Sequence, residues 1–312
     1  MFEIINQANL DNTERLADQF ACGDPFRHTL IENFFELPFL ANILEEFPEI
    51  ERDKMRSEFG KVSRKHAVHE IDSLGPTFRK WHNILQSAQF IEWLEKLTGI
   101  EQLIFDPEYH GAGTHNNLDG QGMDVHIDFN LHRTTGFHRR LNLIIYICEE
   151  WDPIWGGNIQ LHKNPWNRKS NYYKEYPPYY NNAVLFETNE YSWHGFEPIS
   201  LPKEKIHLSR KSLTVYYYTK ERPEEEIARK HGTIYVPKWI PKEVKPDAVI
   251  SQEDFSELLR NFRRRDDMLQ SLYGRESDLL DRNEKLKRKV KWLEKKLESG
   301  ETEITEQRTG LL

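Results

Sequence analysis

Residues 123–132 read MDVHIDFNLH, apolar and β-branched residues with polar ones between them in the period-two alternation of a strand. Successive strand side chains point to opposite faces, so His126 and Asp128 project from the same side. A carboxylate on a face turned toward a core is costly unless a partner satisfies it. Alone the pair is a weak signal: with 13 histidines in the chain, roughly one His-x-Asp is expected by chance. Its surroundings decide what it means.

Around this strand, from about residue 103 to 220, similar runs recur: QLIFD, DVHIDF, LNLIIYI, GNIQLH, NAVLFE and SLTVYYYT. Gly, Asn, Pro and charged residues separate them, the pattern of a sandwich or jelly roll of short strands. NPWNRKSNYYKEYPPYYNN is too long for a hairpin turn and reads as a structured loop over a functional mouth. Residues 1–102 are expected to be mainly helical and to pack on the core. PFLANILEEFPEI and SAQFIEWLEKLTGI carry apolar residues at spacings of three and four, with Ser87 and Gly99 as start and stop signals for the second. His66 and His69 come close in RKHAVHEI, with no third metal ligand at a useful spacing.

Past Pro223 the β pattern ends. VPKWIPKEVKPD, with three prolines, makes residues 224–250 an extended connector. A helix with heptad spacing is expected over 251–299, regular from Leu279 to Leu297 and interrupted earlier by Arg265, Gly274 and Glu276. Asn283 and Val290 fall at a, and Leu286 and Leu293 at d, a combination that favours a parallel two-stranded coiled coil and hence a homodimer. The alternative is an amphipathic helix packed on its own domain. Between 255 and 299 stand 13 Lys/Arg and 9 Asp/Glu, read as a solvated coil exterior. Residues 300–312 are expected to be a disordered tail.

At 312 residues, 38% hydrophobic and 12% aromatic, the chain can build a sizeable core. Mean hydropathy is -0.77 and no long apolar run occurs, so neither a membrane span nor a membrane partner is expected. The opening MFEIINQANLDNTERLADQF lacks the basic start and apolar block of a secretory signal. Cys22 and Cys148 imply no disulfide framework, and a cytoplasmic location is expected. A net charge of -8 gives no reason to expect a nucleic-acid partner.

The chemistry needs a second histidine, and YSWHGFEPI offers His194 just after the apolar run AVLFET. Two histidines and one carboxylate leave open positions on a metal, as non-haem Fe(II) oxygenases require, whereas structural zinc closes its shell with a fourth protein ligand. LSRKSLTVYYYT then begins a strand with a cation, and Arg210, Ser212, Thr214 and Tyr216 share one face. A guanidinium turned inward needs an anion, and its planar fork suits a carboxylate. At a strand end it could also simply meet water. Gly156 and Gly157 of WGGN are assigned to a turn entering the next strand, without a ligand role.

Taken in order, HIDFN, RRLNLIIYICEEW, WGGNIQLH, NNAVLFET, WHGFEP and RKSLTVYYYT make residues 103–223 resemble the Fe(II)- and 2-oxoglutarate-dependent dioxygenases, specifically the prolyl 4-hydroxylase-like group. The resemblance implies a double-stranded β-helix (jelly-roll) core; with the periodic helices read on either side, the chain is expected to be α+β, with N-terminal helices and a C-terminal coiled-coil helix. It implies His126, Asp128 and His194 as iron ligands and Arg210 as partner of the distal carboxylate of 2-oxoglutarate. Tyr146 is implied as an aid to that carboxylate, and Ser212, on the face of Arg210, joins them as a co-substrate candidate. The implied activity is O2-dependent hydroxylation of an unidentified substrate (peptidyl proline, a small molecule or a saccharide), with succinate and CO2 as co-products and ascorbate as support. His115, Asn117, Trp166, Tyr172 and Tyr173 are candidates for substrate contact, while His132 and His138 are not expected to be ligands. A different class stays open: a non-catalytic metal-binding jelly-roll module dimerised by its coiled coil. Arg210 separates the two, since a pure metal-binding module needs no cation aimed at the open coordination face.

Overall fold

The computed structural model describes residues 3–50, 66–240, 244–247 and 249–298. The N-terminal region forms α1 (Gln7–Asp11), α2 (Thr13–Ala21), β1 (His28–Ile31), α3 (Leu37–Glu45), β2 (His66–Val68), α4 (Pro76–Leu85) and α5 (Ala88–Thr98). Local chemistry sets these boundaries. Ser87 Oγ accepts the Phe90 N–H at 3.3 Å to open α5, and Gly99 closes it in the left-handed region at φ 67°. Pro76 sits in the first turn of α4, whose free N–H groups at Thr77 and Phe78 donate to the Glu46 carboxylate.

Strands follow: β3 (Ile104–Phe105), β4 (Gly113–Asn117), β5 (Met123–Ile127), β6 (His138–Tyr146), β7 (Ile159–His162), β8 (Tyr173–Tyr176), β9 (Ala183–Glu187), β10 (Trp193–Phe196), β11 (Arg210–Thr219) and β12 (Ile234–Tyr235). They build two antiparallel sheets. The larger has the order β1-β9-β6-β11-β4-β2, with β3 also on β11, and the smaller has the order β12-β5-β10-β7-β8. From β4 to β11 the chain alternates between the sheets, except at the β7–β8 hairpin, which is the winding of a jelly roll.

Period two sorts the central strands into an oily face and a working face. Leu141, Leu143 and Ile145 of β6, with Leu213, Val215 and Tyr217 of β11, join Phe34, Phe35, Trp81 and Phe90 from the N-terminal region in the main core. The alternate residues Asn142, Ile144, Ser212, Thr214 and Tyr216 line a cavity of about 330 Å³ that also takes residues from β5, β7 and β10. A buried sheet face that carries this much polarity is built for a ligand, because its groups need partners.

Two segments do more than their sequence suggested. Residues 1–102, expected to be mainly helical, also supply β1 and β2, the two ends of the larger sheet. Residues 224–250, expected to be a connector, supply β12, which pairs with β5 so that Tyr235 lies opposite His126. The Val236 N–H extends this pairing by donating to Val125 O at 2.8 Å. Apolar residues on both sides of the ladder, with Ile127, Trp193 and Val236 in one cluster, outweigh the proline-rich composition.

The chain divides into two compact units, Met1–Lys238 and Trp239–Leu312. In the second, α6 (Gln252–Glu298) runs for 47 residues, about 70 Å at 1.5 Å per residue. The tail expected at 300–312 lies outside the described residues. No described helix is long and apolar enough to cross a membrane.

Candidate active site

β5 and β10 pair so that His194 stands directly opposite His126, with ring centroids 4.3 Å apart. Asp128, one residue beyond β5, turns back onto both rings. Its Oδ1 is 3.7 Å from His126 Nε2 and its Oδ2 is 3.6 Å from His194 Nε2. The three ligand atoms lie within 4.8 Å of one another. Gly195 makes the approach possible: a Cβ there would fall 2.7 Å from Met123 O and 2.9 Å from Val125 N on the facing strand.

The hydrogen bonds behind the rings fix their tautomers. His126 Nδ1 is 2.8 Å from Asp124 O, and His194 Nδ1 is 2.9 Å from Ser192 O. A carbonyl only accepts, so each Nδ1 carries the proton and donates, leaving the Nε2 lone pair for a metal. Burial, then the neighbouring His126, pushes His194 down to about 3, so this imidazole is neutral at ordinary pH. Burial opposes ionisation of Asp128, but the Arg139 guanidinium outweighs it and holds the carboxyl well below its ordinary value. Two imidazoles that present Nε2 and one carboxylate on one wall fit a divalent metal.

A second cluster, Asp106, Glu108 and His132, fails the same test. His132 Nδ1 accepts the N–H groups of Thr134 and Thr135 at 3.3 and 3.1 Å, so its proton is on Nε2, 3.4 Å from Asp106 Oδ1. That nitrogen has no lone pair to offer. Asp106 in turn accepts the N–H groups of Glu108 and His110. The cluster's hydrogen bonds tie together a loop.

Arg210 opens β11 and is buried in the cavity wall. Its Nε donates to Gly157 O at 2.7 Å, its Nη2 donates to Tyr146 Oη at 3.2 Å, and its guanidinium carbon lies 4.1 Å from the centre of the Phe196 ring. Among the described residues no carboxylate pairs with it. Gly157, assigned to a turn alone, therefore also positions this cation. Its φ of 71° admits few other residues, and a Cβ there would meet Arg210 Cδ at 3.1 Å. Tyr146 is fully buried behind Arg210 and is absent from the cavity lining, and burial pushes its phenol up to about 12. Its hydroxyl is placed to orient Arg210. Ser212 does line the cavity, next along the face from Arg210.

Of the substrate-contact candidates, His115 and Asn117 line the cavity, whereas Trp166, Tyr172 and Tyr173 do not. Tyr173 belongs to β8, on the far edge of the smaller sheet, and packs on His162. Sequence reading passed over Tyr235, whose ring lies 5.3 Å from His126, and Arg139, whose Nη2 is 2.8 Å from Asp128 Oδ2.

Residues 112–218 match the model of the 2OG-Fe(II) oxygenase superfamily. No curated protein matches the chain. Among solved structures, a prolyl hydroxylase from Trichoplax adhaerens, in complex with a hypoxia inducible factor peptide fragment, is 14% identical over 68% of this chain and 91% of its own, with a TM-score of 0.44. A prolyl 4-hydroxylase from Phytophthora capsici is 16% identical over 83% and 75%, at TM-score 0.49. HygX from Streptomyces hygroscopicus, with nickel and 2-oxoglutarate bound, is 10% identical over 69% and 95%, at TM-score 0.43. At these values the assignment rests on the family match. Residues 112–218, about a third of the chain, therefore match a 2OG-Fe(II) oxygenase domain, of the kind that works with 2-oxoglutarate and Fe(II).

Proposed function

We propose that the chain hydroxylates a substrate still to be identified, with succinate and CO2 as co-products, using His126, Asp128 and His194 as iron ligands and Arg210 as the anchor of the distal 2-oxoglutarate carboxylate. The observation that carries this reading is the state of Arg210. A guanidinium buried in the same cavity wall as the triad, with no carboxylate partner among the described residues, is costly until an anion arrives. A metal-binding module without turnover offers no reason to keep it.

The protein's own residues do the preparatory work. His126 and His194 present Nε2 because their Nδ1–H groups are tied to carbonyls. Gly157 O and Tyr146 Oη orient the Arg210 fork, and the Ser212 and Thr214 hydroxyls line the wall next to it. Ile144, Ile159 and Phe196 line the same space and exclude water. The chemistry that Fe(II) supplies when bound is O2-dependent oxidation coupled to loss of CO2 from the 2-oxo acid.

Peptidyl proline and small molecules or saccharides are the substrate classes in view; the first is what the Trichoplax adhaerens enzyme's peptide complex suggests. We also propose that α6 pairs with a second copy as a coiled coil. The test of the activity is succinate release with Fe(II), 2-oxoglutarate and ascorbate. His126→Ala and Asp128→Ala are expected to abolish it. Arg210→Ala is expected to raise the KM for 2-oxoglutarate by roughly 100-fold, since truncating one side of a buried charged pair costs about 3 kcal/mol. An unchanged KM in Arg210→Ala would overturn the co-substrate assignment.

A further inference from the structure

We propose that Arg139 is a positioning residue that restricts Asp128 to ligation through one carboxylate oxygen and so keeps a metal position open for the co-substrate. The inference rests on the iron-site reading above. It starts from an irregularity in β6. Against β11, Leu141 pairs with Tyr217 and Arg139 with Tyr218, so Arg140 is skipped. One extra residue flips the strand's parity, and the bulge swings Arg139 onto the cavity face of the sheet. Arg140 turns the other way, to Glu187 at 3.2 Å.

The Arg139 side chain is 0% exposed, and its Nη2 lies 2.8 Å from Asp128 Oδ2. The guanidinium carbon is 3.4 Å from the centre of the Tyr216 ring and 4.6 Å from that of Phe129, which fix its plane. Nε, Nη1 and Nη2 make no hydrogen bond among the described residues, nor does Asp128 Oδ2, so the 2.8 Å contact is an ion pair. Among the described residues Asp128 is the only carboxylate within 4 Å of the guanidinium. Buried ion pairs of this kind add little stability over apolar residues of the same size, and here the pair serves geometry. Without Arg139 nothing distinguishes the two Asp128 oxygens, each of which approaches one imidazole within 3.7 Å. Carboxylates bind metals through one oxygen or both. Two-oxygen ligation would take a position that the open face of a two-histidine, one-carboxylate site must leave free. With Oδ2 held by Arg139, Oδ1 is the oxygen left for the metal.

A cation this close to a ligand also repels the metal, so removing it has a distinctive signature: metal binding persists while co-substrate binding suffers. The experiment titrates Co(II) into the metal-free full chain and follows its ligand-field absorption, which reports coordination number, and then adds 2-oxoglutarate without O2. Wild type is expected to take up Co(II) and His126→Ala to lose it. Arg139→Gln is expected to hold Co(II) at least as tightly as wild type, with altered bands before co-substrate is added, and to bind 2-oxoglutarate at least ~10-fold more weakly. Arg139→Lys, which keeps the charge without the fork, is expected to fall between. Wild-type bands and co-substrate affinity in Arg139→Gln, or loss of Co(II) from a folded variant, overturn the proposal. Should circular dichroism show Arg139→Gln unfolded, Arg139→Lys decides: altered bands with weaker co-substrate binding support the proposal, and wild-type values overturn it. A wild type that takes up no Co(II) removes the iron-site reading itself, and this inference with it.

Discussion

Arg210 is held by a backbone oxygen that only a glycine at position 157 can bring so close. Replacing Gly157 with Ala forces a Cβ to within 3.2 Å of Arg210 Cδ, Ile199 and Trp151 at a φ of 71°. The expected result for Gly157→Ala is a KM for 2-oxoglutarate raised by roughly 10-fold, with a stability loss of about 1–3 kcal/mol in denaturant unfolding. His162 is tuned differently. Its Nδ1 accepts from Asn171 at 3.0 Å, and burial pushes it down to about 4, against smaller opposing effects of Glu197 and Asn171. The folded imidazole stays neutral while the unfolded one takes up a proton below its ordinary 6.5. Stability present above 6.5 is therefore lost as pH falls toward 4, by ~2 kcal/mol at pH 5. Urea midpoints at pH 7 and 5 check this: wild type should lose about that much more than His162→Gln, and equal losses would refute it. At this scale the sequence revealed most where parity is unbroken. His126, Asp128 and the Arg210 face follow from counting by two, and a bulge hid Arg139 by breaking the count at Arg140.

Elements set what the side chains can do. β12 is only two residues long, yet it closes one edge of the smaller sheet and brings Tyr235 against His126. A boundary placed at 223, shortly after the end of β11 at Thr219, would cut this strand off. Its prolines and charges concealed it, because a two-residue strand has no periodicity to detect and its pairing is fixed by a partner far away in sequence. Two truncations compare the boundaries. A chain ending at Lys238 is expected to keep the melting temperature of the oxygenase unit and its Co(II) affinity. A chain ending at 223 should melt lower by several degrees, since ~1 kcal/mol corresponds to roughly 2–4 °C at this size. Equal melting of the two would mean that β12 adds nothing to the unit. β1 and β2 were missed for a similar reason: short segments such as HTLI and HAV gain their strand character from edges already laid down by β9 and β4.

For the whole molecule, the sequence disclosed the winding, the strand face that carries His126 and the long helix, because each rests on a repeating pattern. It disclosed no substrate, since the cavity lining takes single residues from separate elements, among them Ala67, His69, His115, Thr233 and Tyr235. The second unit poses a simpler physical problem. Along α6, Leu279 and Leu286 are 64% and 61% exposed, Val290 52% and Leu297 81%, all on the a and d stripe. A second copy laid along the stripe buries these residues on both helices, at about 0.8 kcal/mol per methylene-sized increment. That gain has to exceed an association cost of several kcal/mol. Asn283 at an a position then favours a parallel, in-register pair, since its amide meets its counterpart only in that arrangement. The full chain is therefore expected to have a dimeric mass at ~10 μM, a chain ending at 250 a monomeric one, and Leu286→Asp with Leu293→Asp a monomeric mass with oxygenase turnover intact, because a charge on the seam remains unpaired in the dimer and solvated in the monomer. A full chain that stays monomeric at that concentration would leave α6 a solvated single helix and remove the dimer from the proposal.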